Sequence, residues 1–363
     1  MLQSFQLENF RCFEHVEMSG LRPINVIVGR NASGKTALLE GLRLALSGTP
    51  QIVPWLNQFR GIGFVMPQAW SRETFEALWE TIFFQGNTEK TIRLAFASPE
   101  HTWRLRIFFN RQAQGASPGT AATTPPAVSP VPSQVPPSAV FPLVFERQVD
   151  DGERSILLAT VVAPGVPFNQ PGPDLGPRTA FFSSTIAYAP QDAAIWLTQL
   201  NVENRDAVVK ASLRKEFPYI EDLAVGTTAY APTGTVFLSV AGVEKKLPGP
   251  LVSAGIWKIL TLACATAMHR DGILLVDEID NGIYWDKLPA VWSMLHQLAR
   301  ESRCQIFAST HSYECLKALL PAMKEDEDSF SLMRTERTEG LCSVRMIVGR
   351  DARVAIEQGI DPR

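Results

Sequence analysis

One stretch narrows what this chain can fold into more than any other: Gly29-Arg30-Asn31-Ala32-Ser33-Gly34-Lys35-Thr36. It has the form G-x-x-x-x-G-K-[ST], a P-loop. Its surroundings are those the pattern needs. Residues 24–28, Ile-Asn-Val-Ile-Val, are a short apolar run that predicts a buried strand. Residues 36–46 carry Leu38, Leu39, Leu42, Ala45 and Leu46 at helical spacing, and Gly48 and Pro50 stop that helix. Strand, glycine loop and helix in that order turn backbone N–H groups onto an anion and add the positive end of the helix. The competing explanation is an ordinary glycine-rich strand-to-helix turn. As a phosphate cradle, the loop predicts that Lys35 reaches the β- and γ-phosphates and that the Thr36 hydroxyl ligates Mg²⁺.

Three later segments carry the matching chemistry. Residues 273–276, Ile-Leu-Leu-Val, form an apolar strand that ends in Asp277-Glu278. Asp277 at the strand tip can hold Mg²⁺ and Glu278 can polarise an attacking water. Taken alone, two acids after an apolar strand are equally well a solvated strand end. Residues 305–309 are another short strand, running into Thr310-His311-Ser312. His311 is either a γ-phosphate sensor or a bystander in a helix-capping Thr/Ser segment. Ser253-Ala254-Gly255-Ile256 precedes a long apolar helix. It is either an anion site or a plain helix cap.

The rest of the chain alternates strands with helices, which predicts an α/β fold with a largely parallel sheet covered on its faces. Residues 91–96 and 103–109 alternate polar and apolar and read as antiparallel strands. Residues 144–149 and 155–162 flank Asp150-Asp151-Gly152, a hairpin signal. Residues 112–138 are rich in Pro, Ala, Ser and Thr and are expected to be a flexible insertion. Helix is expected over 192–223, strand over 235–247, helix from near Gly255 and over 287–300, and helix over 313–320 closed by Pro321. A last hairpin is expected over 330–335 and 342–348, turning at Thr338-Glu339-Gly340. There is no heptad run, hence no coiled-coil arm, and no internal repeat.

Composition bounds the partners. The net charge of -3 gives no overall attraction for nucleic acid. Five scattered cysteines without CxxC spacing read as reduced thiols of a cytoplasmic protein. The first residues lack a basic-then-apolar signal peptide. The most apolar stretch, 255–268, is interrupted by Lys258 and too short for a bilayer, so it is expected to be a buried helix and no membrane partner is expected.

The order P-loop, long interval, Ser-x-Gly, apolar helix, strand ending in Asp-Glu, strand ending in His resembles the ABC-type ATPase heads. In detail the chain resembles the OLD (overcoming lysogenization defect), RecF and SMC branch. Leu7-Glu8-Asn9-Phe10-Arg11-Cys12-Phe13 is similar to the opening strand of RecF and SMC heads, which lies near the adenine. Asn31 within the P-loop is typical of the branch. Asp277-Glu278-Ile279-Asp280-Asn281-Gly282 is similar to D-E-x-[DE]-N-G, and Ala308-Ser309-Thr310-His311-Ser312 to the family's strand-His segment. Phe217-Pro218-Tyr219-Ile220-Glu221-Asp222-Leu223 resembles a segment of OLD-like ATPases.

The chain also departs from the pattern. Its signature lacks the second Gly and the Gln of the ABC form, Tyr284 stands where related heads often have His, and the Q-loop is left unassigned, with Gln191 as one candidate. OLD nucleases continue into a Toprim domain. With the last residue at Arg363, soon after the final hairpin, no room for that nuclease is expected.

The resemblance implies an α/β P-loop NTPase of ABC-head type, with a mixed central sheet, an antiparallel β subdomain and a small helical lobe. The whole chain, 1–363, is expected to form one composite head. Its N-terminal lobe spans 1–111 and 139–190, its helical lobe 191–250 and its C-terminal lobe 251–363. It implies ATP and Mg²⁺ as ligands. Nucleotide is held by Gly29 through Thr36, Ala37, and, from the opposite protomer, Ser253 and Gly255. Thr36 and Asp277 hold the metal; Glu278, His311 and Lys35 are catalytic. The head is then expected to form a homodimer around ATP and to switch a separate effector such as a nuclease, as in phage defence. A slow nucleotide-gated binding module and a RecF-like DNA-repair ATPase are the alternatives.

Overall fold

The computed structural model describes residues 1–62, 71–111, 141–160, 172–185, 190–229, 231–324 and 326–363. The Pro-rich segment 112–138 lies outside the described residues.

The chain opens with β1 (Ser4–Phe10) and β2 (Phe13–Ser19), then β3 (Ile24–Val28) and α1 (Lys35–Ser47). Two helices follow, α2 (Ile52–Phe59) and α3 (Arg72–Glu80), then strands β4 (Ile92–Ala97), β5 (Thr102–Phe109), β6 (Leu143–Val149), β7 (Ser155–Ala159) and β8 (Thr179–Phe182). Next come α4 (Pro190–Val202), α5 (Asp206–Glu216), β9 (Ile220–Thr228), β10 (Ala231–Val240) and β11 (Leu247–Pro248). The last third holds α6 (Gly249–Val252), α7 (Ala254–Met268), β12 (Ile273–Val276), α8 (Leu288–Ser302), β13 (Gln305–Ser309) and α9 (Tyr313–Ala322). It ends with β14 (Phe330–Thr338), β15 (Leu341–Val348) and α10 (Gly349–Glu357).

The central sheet runs β15-β14-β3-β13-β12-β8. All its neighbours are parallel except the β14–β15 hairpin. Every residue of β3, β12 and β13 is buried, as expected of strands covered on both faces. Side-chain alternation divides each of these strands between two cores. Val26, Leu274 and Ile306 face the core built by α4, α5, α7, α8 and α9. Ile27, Leu275 and Phe307 face a second core, shared with α1 and the antiparallel sheet β2-β1-β4-β5-β6-β7. Lying between two sheets, α1 buries 11 of its 13 residues. The strand ends that follow, at Gly29, Asp277 and Thr310, therefore emerge on one edge, with β13 between β3 and β12. In open α/β sheets that carboxyl edge is where ligands bind.

Several sequence expectations are corrected. Residues 220–223 begin strand β9 instead of ending a helix: Pro218 cannot continue the hydrogen-bond ladder, and Ile220 and Leu223 pair with Val240 and Leu238. The strand expected over 235–247 breaks after Val240 at Gly242, whose φ is 78°. Residues 191–250 thus hold the three-stranded sheet β11-β10-β9 as well as two helices. Pro321 lies inside the last turn of α9, one residue before its end, where it forfeits a single ladder bond. The sequence reading missed α2, α3, α6, β8 and α10. Residues 255–268 lie in the buried helix α7, and among the described residues no helix is long and apolar enough to cross a membrane.

Candidate functional site

The P-loop folds as a tight left-handed path. Gly29 has φ 148°, Ala32 60° and Gly34 103°. A Cβ on Gly29 would strike Thr335 of β14, and one on Gly34 would lie 2.6 Å from the Phe13 ring. Glycine is required at both because the loop is packed from behind by β14 and from the side by the β1–β2 turn. Ser33 Oγ shares a 2.6 Å hydrogen bond with Thr335 Oγ1, and Thr335 donates to Val28 O at 3.1 Å. The loop is thereby tied to β14. No side chain caps α1, and no acid stands in its first turn, so its leading N–H groups are available to an anion.

Lys35 Nζ donates to Gly29 O at 2.8 Å and to Arg30 O at 3.0 Å, spanning the loop. Burial pulls its pKa below the usual lysine value, while Asp277, Glu278 and Asp280 pull it back up. The ammonium is short of solvent and surrounded by carboxylates.

Asp277 is buried. Thr36 Oγ1 donates to its two oxygens at 3.1 and 3.0 Å, joining the end of β3's loop to the end of β12. Ser184 Oγ donates to Oδ2 at 3.0 Å and Ser309 Oγ to Oδ1 at 2.6 Å. The next residue, Glu278, takes a left-handed φ of 49°. Its N–H donates to Ser309 Oγ at 2.9 Å, and its Oε1 stands 3.8 Å from His311 Nδ1. Ser309 therefore binds both members of the acidic pair. The loop beyond is held by Thr310 donating to Asp280 at 2.6 Å. Lys258 Nζ adds bonds at 2.8 Å each to Glu278 O and Asn281 O. Burial pushes the Lys258 pKa down to about 8.

A cavity of about 680 Å³ opens over these groups, within the usual size of a small-molecule site. Of the residues expected from the sequence, Asn31, Ala32, Gly34, Lys35, Thr36, Ala37, Asp277 and Glu278 line it. Others sit elsewhere. Gly29 is packed under Thr335, and Ser33 turns towards the same residue. Arg30 lines a neighbouring cavity with Arg334, Arg337 and Arg363. His311 reaches the cavity only through Glu278. Ser253 and Gly255 are not in its wall. Ser253 is the N-cap of α7, its Oγ accepting from Ile256 N–H at 3.4 Å, so within one copy of the chain it acts as a cap. Gly255 packs on Gly282 O, where a Cβ would come within 2.7 Å. The Ser-x-Gly segment is thus fastened behind the acidic loop. Gln191 lies in the first turn of α4 and is also outside the wall.

The wall includes Arg11 and Cys12, from the opening segment that the resemblance places near the adenine, and residues the sequence reading missed: Arg60, Arg337 and the segment Phe83-Phe84-Gln85. Arg60 makes a two-pronged bond to Glu40 at 2.8 and 2.7 Å, and Arg11 Nε lies 2.8 Å from the same carboxylate without hydrogen-bond alignment. Glu40 is buried one helical turn beyond Thr36. An acid on the apolar face of a helix was the available signal, since such a charge needs cations nearby.

Two family models match the chain. One described as "AAA domain" covers residues 4–114, and one described as "AAA domain, putative AbiEii toxin, Type IV TA system" covers residues 144–316. An "ATP/GTP phosphatase" of Helicobacter pylori is 18% identical over 346 residues, 90% of each chain. Local matches join it. An "OLD nuclease" of Thermus scotoductus is 40% identical over 60 residues, 16% of this chain and 11% of that one. The "DNA replication and repair protein RecF" of Bacillus mycoides is 46% identical over 41 residues, 11% of each. Among solved structures, an SMC head bound to the C-terminal winged-helix domain of ScpA matches with a TM-score of 0.51 at 14% identity. That match covers 96% of this chain and 97% of the other, and it shares the fold. With its motifs in this order and its strands in this sheet, the chain is a P-loop ATPase that is similar to the OLD, RecF and SMC proteins and shares the fold of an SMC head.

Proposed function

We propose that this head binds ATP with Mg²⁺ in the cavity over the P-loop, hydrolyses it, and closes on a second copy of itself while ATP is bound. One observation carries the reading: the Thr36 hydroxyl and the Asp277 carboxylate meet at 3.0–3.1 Å, with Glu278 directly beyond. An all-oxygen pair of this kind suits Mg²⁺, which takes few protein ligands and fills the rest with water and phosphate. Thr36 and Asp277 would hold the metal, and when bound it supplies positive charge against the β- and γ-phosphate oxygens.

The chain's own residues supply the rest. Lys35 and the N–H groups from Asn31 to Ala37 bind the phosphates. Ser184 and Ser309 orient Asp277. Glu278 accepts a proton from the attacking water, and His311, beside it, senses the γ-phosphate. In this reading Ser253 and Gly255 belong to the opposite protomer's site. Their attachment to the acidic loop supports it: closing two copies would move signature, Lys258 and Glu278 as one unit. ATP that contacts both copies favours the closed pair, and hydrolysis releases it.

Glu278→Gln tests the reading. The variant is expected to bind ATP and lose turnover by about 10²–10⁴-fold, the usual worth of a general base. In size-exclusion chromatography it is expected to shift to a dimer only when ATP·Mg²⁺ is added. The same elution with and without nucleotide contradicts the shared site, and wild-type turnover contradicts the role of Glu278.

Such an ATP-gated pair is suited to switching an effector protein, including one serving phage defence. Tyr284 and Trp285, 68% and 63% exposed directly after the acidic loop, favour docking at that face. Turnover measured with and without the product of the adjacent gene tests this part.

A further inference from the structure

We propose that Arg337, from the far end of the chain, is a further phosphate-binding residue of the nucleotide site; the inference rests on the reading above. Residues Thr335 and Arg337 share one face of β14, since side chains alternate along a strand. Thr335 is the residue bonded to Ser33 of the P-loop, so Arg337 is delivered to the same side, one step further along. It lines the cavity that contains Asn31, Lys35 and Thr36.

The hairpin that carries it is pinned. Arg337 pairs in register with Cys342, whose N–H donates to Cys12 O at 3.2 Å in the β1–β2 turn. That turn is itself packed on Gly34. The strand end cannot drift from the loop without breaking both attachments.

Charge separates Arg337 from the other cations of the wall. Lys35 is set among Asp277, Glu278 and Asp280, and Arg11 and Arg60 share Glu40. No carboxylate among the described residues pairs with Arg337. A guanidinium in a phosphate-binding cavity, without a protein anion, suits a triphosphate oxygen, which it can grip with two parallel hydrogen bonds.

The test compares Arg337→Gln and Lys35→Ala with the parent chain by calorimetric titration of ATP·Mg²⁺, alongside thermal melting. The side chain is exposed, so the melting midpoint of Arg337→Gln is expected to stay unchanged while its ATP affinity falls about tenfold, the scale of one charge-assisted contact. Parental affinity in Arg337→Gln, with binding lost in Lys35→Ala, overturns the role of Arg337 and leaves the nucleotide site standing. Parental affinity in Lys35→Ala sinks the site itself. Should Arg337→Gln melt early, Arg337→Lys decides: affinity within about threefold of the parent supports a phosphate contact, and a loss as large as that of Gln overturns it.

Discussion

Glu40 shows how one residue can set the charge of a site it does not enter. It sits on α1 with its carboxylate buried between Arg11 and Arg60, both of which line the cavity. Removing its charge leaves two cations facing each other. Glu40→Gln is therefore expected to destabilise the fold by about 3 kcal/mol, at the low end for breaking a buried pair because Arg60 is partly exposed. Denaturant melts of the variant check this, and an unchanged midpoint contradicts it.

Lys258 makes a pH-dependent counterpart. Its folded pKa of about 8 lies below its ordinary 10.5. Between those values the unfolded chain keeps the proton and the folded chain releases it. The penalty of burying this ammonium is thus full below pH 8 and relieved as pH rises towards 10.5, so its contribution to stability rises across that window. Stability of the wild type relative to Lys258→Met, measured from pH 7 to 10, is expected to increase with pH; a flat difference contradicts the assignment.

Lys35, Thr36, Asp277 and Glu278 were legible in the sequence because each stands at a fixed offset from a strand or a glycine. Arg60 and Arg337 were not. An arginine's destination depends on which distant segment packs beside it, and nothing near Arg337 in sequence mentions residue 33.

At the scale of elements, the site is a junction between β3, β12, β13 and β14, and its tightest point is the P-loop's packing. Gly34→Ala would force a left-handed φ of 103° on a residue with a Cβ aimed at the Phe13 ring. It is expected to lose nucleotide binding, and a parental affinity would contradict the packing described. Thr335→Val removes the hydroxyl that bonds Ser33 and Val28, and is expected to cost about 1–3 kcal/mol for the buried acceptor left behind. Thermal melting reads this loss, which should be accompanied by weaker ATP binding as the hairpin loosens.

The buried strands β3, β12 and β13 were legible as compact apolar runs bounded by turn residues, and the β14–β15 hairpin by its Glu339-Gly340 turn, where both φ values are positive. Strand β8 and helix α10 escaped notice. The first is four residues long and becomes a strand only by pairing with β12. The second is nine residues long and buries only Gly349, Ala352 and Ile356, too few to stand out as an apolar stripe. Residues 220–223 were misread because propensity alone did not register their pairing with β10.

For the whole molecule, the central sheet joins two cores. The P-loop and α1 belong to the antiparallel side, while α7, α8 and α9 fill the other. A triphosphate spanning Lys35 and Asp277 would bind the folded chain alone, so ATP is expected to stabilise the fold with the logarithm of its concentration above the dissociation constant. The most direct test is the calorimetric titration of ATP·Mg²⁺ into the wild-type chain and into Lys35→Ala. Saturable binding in the first and none in the second is the expected result. Equal heats from both chains, or none from either, would contradict a nucleotide site built on this loop.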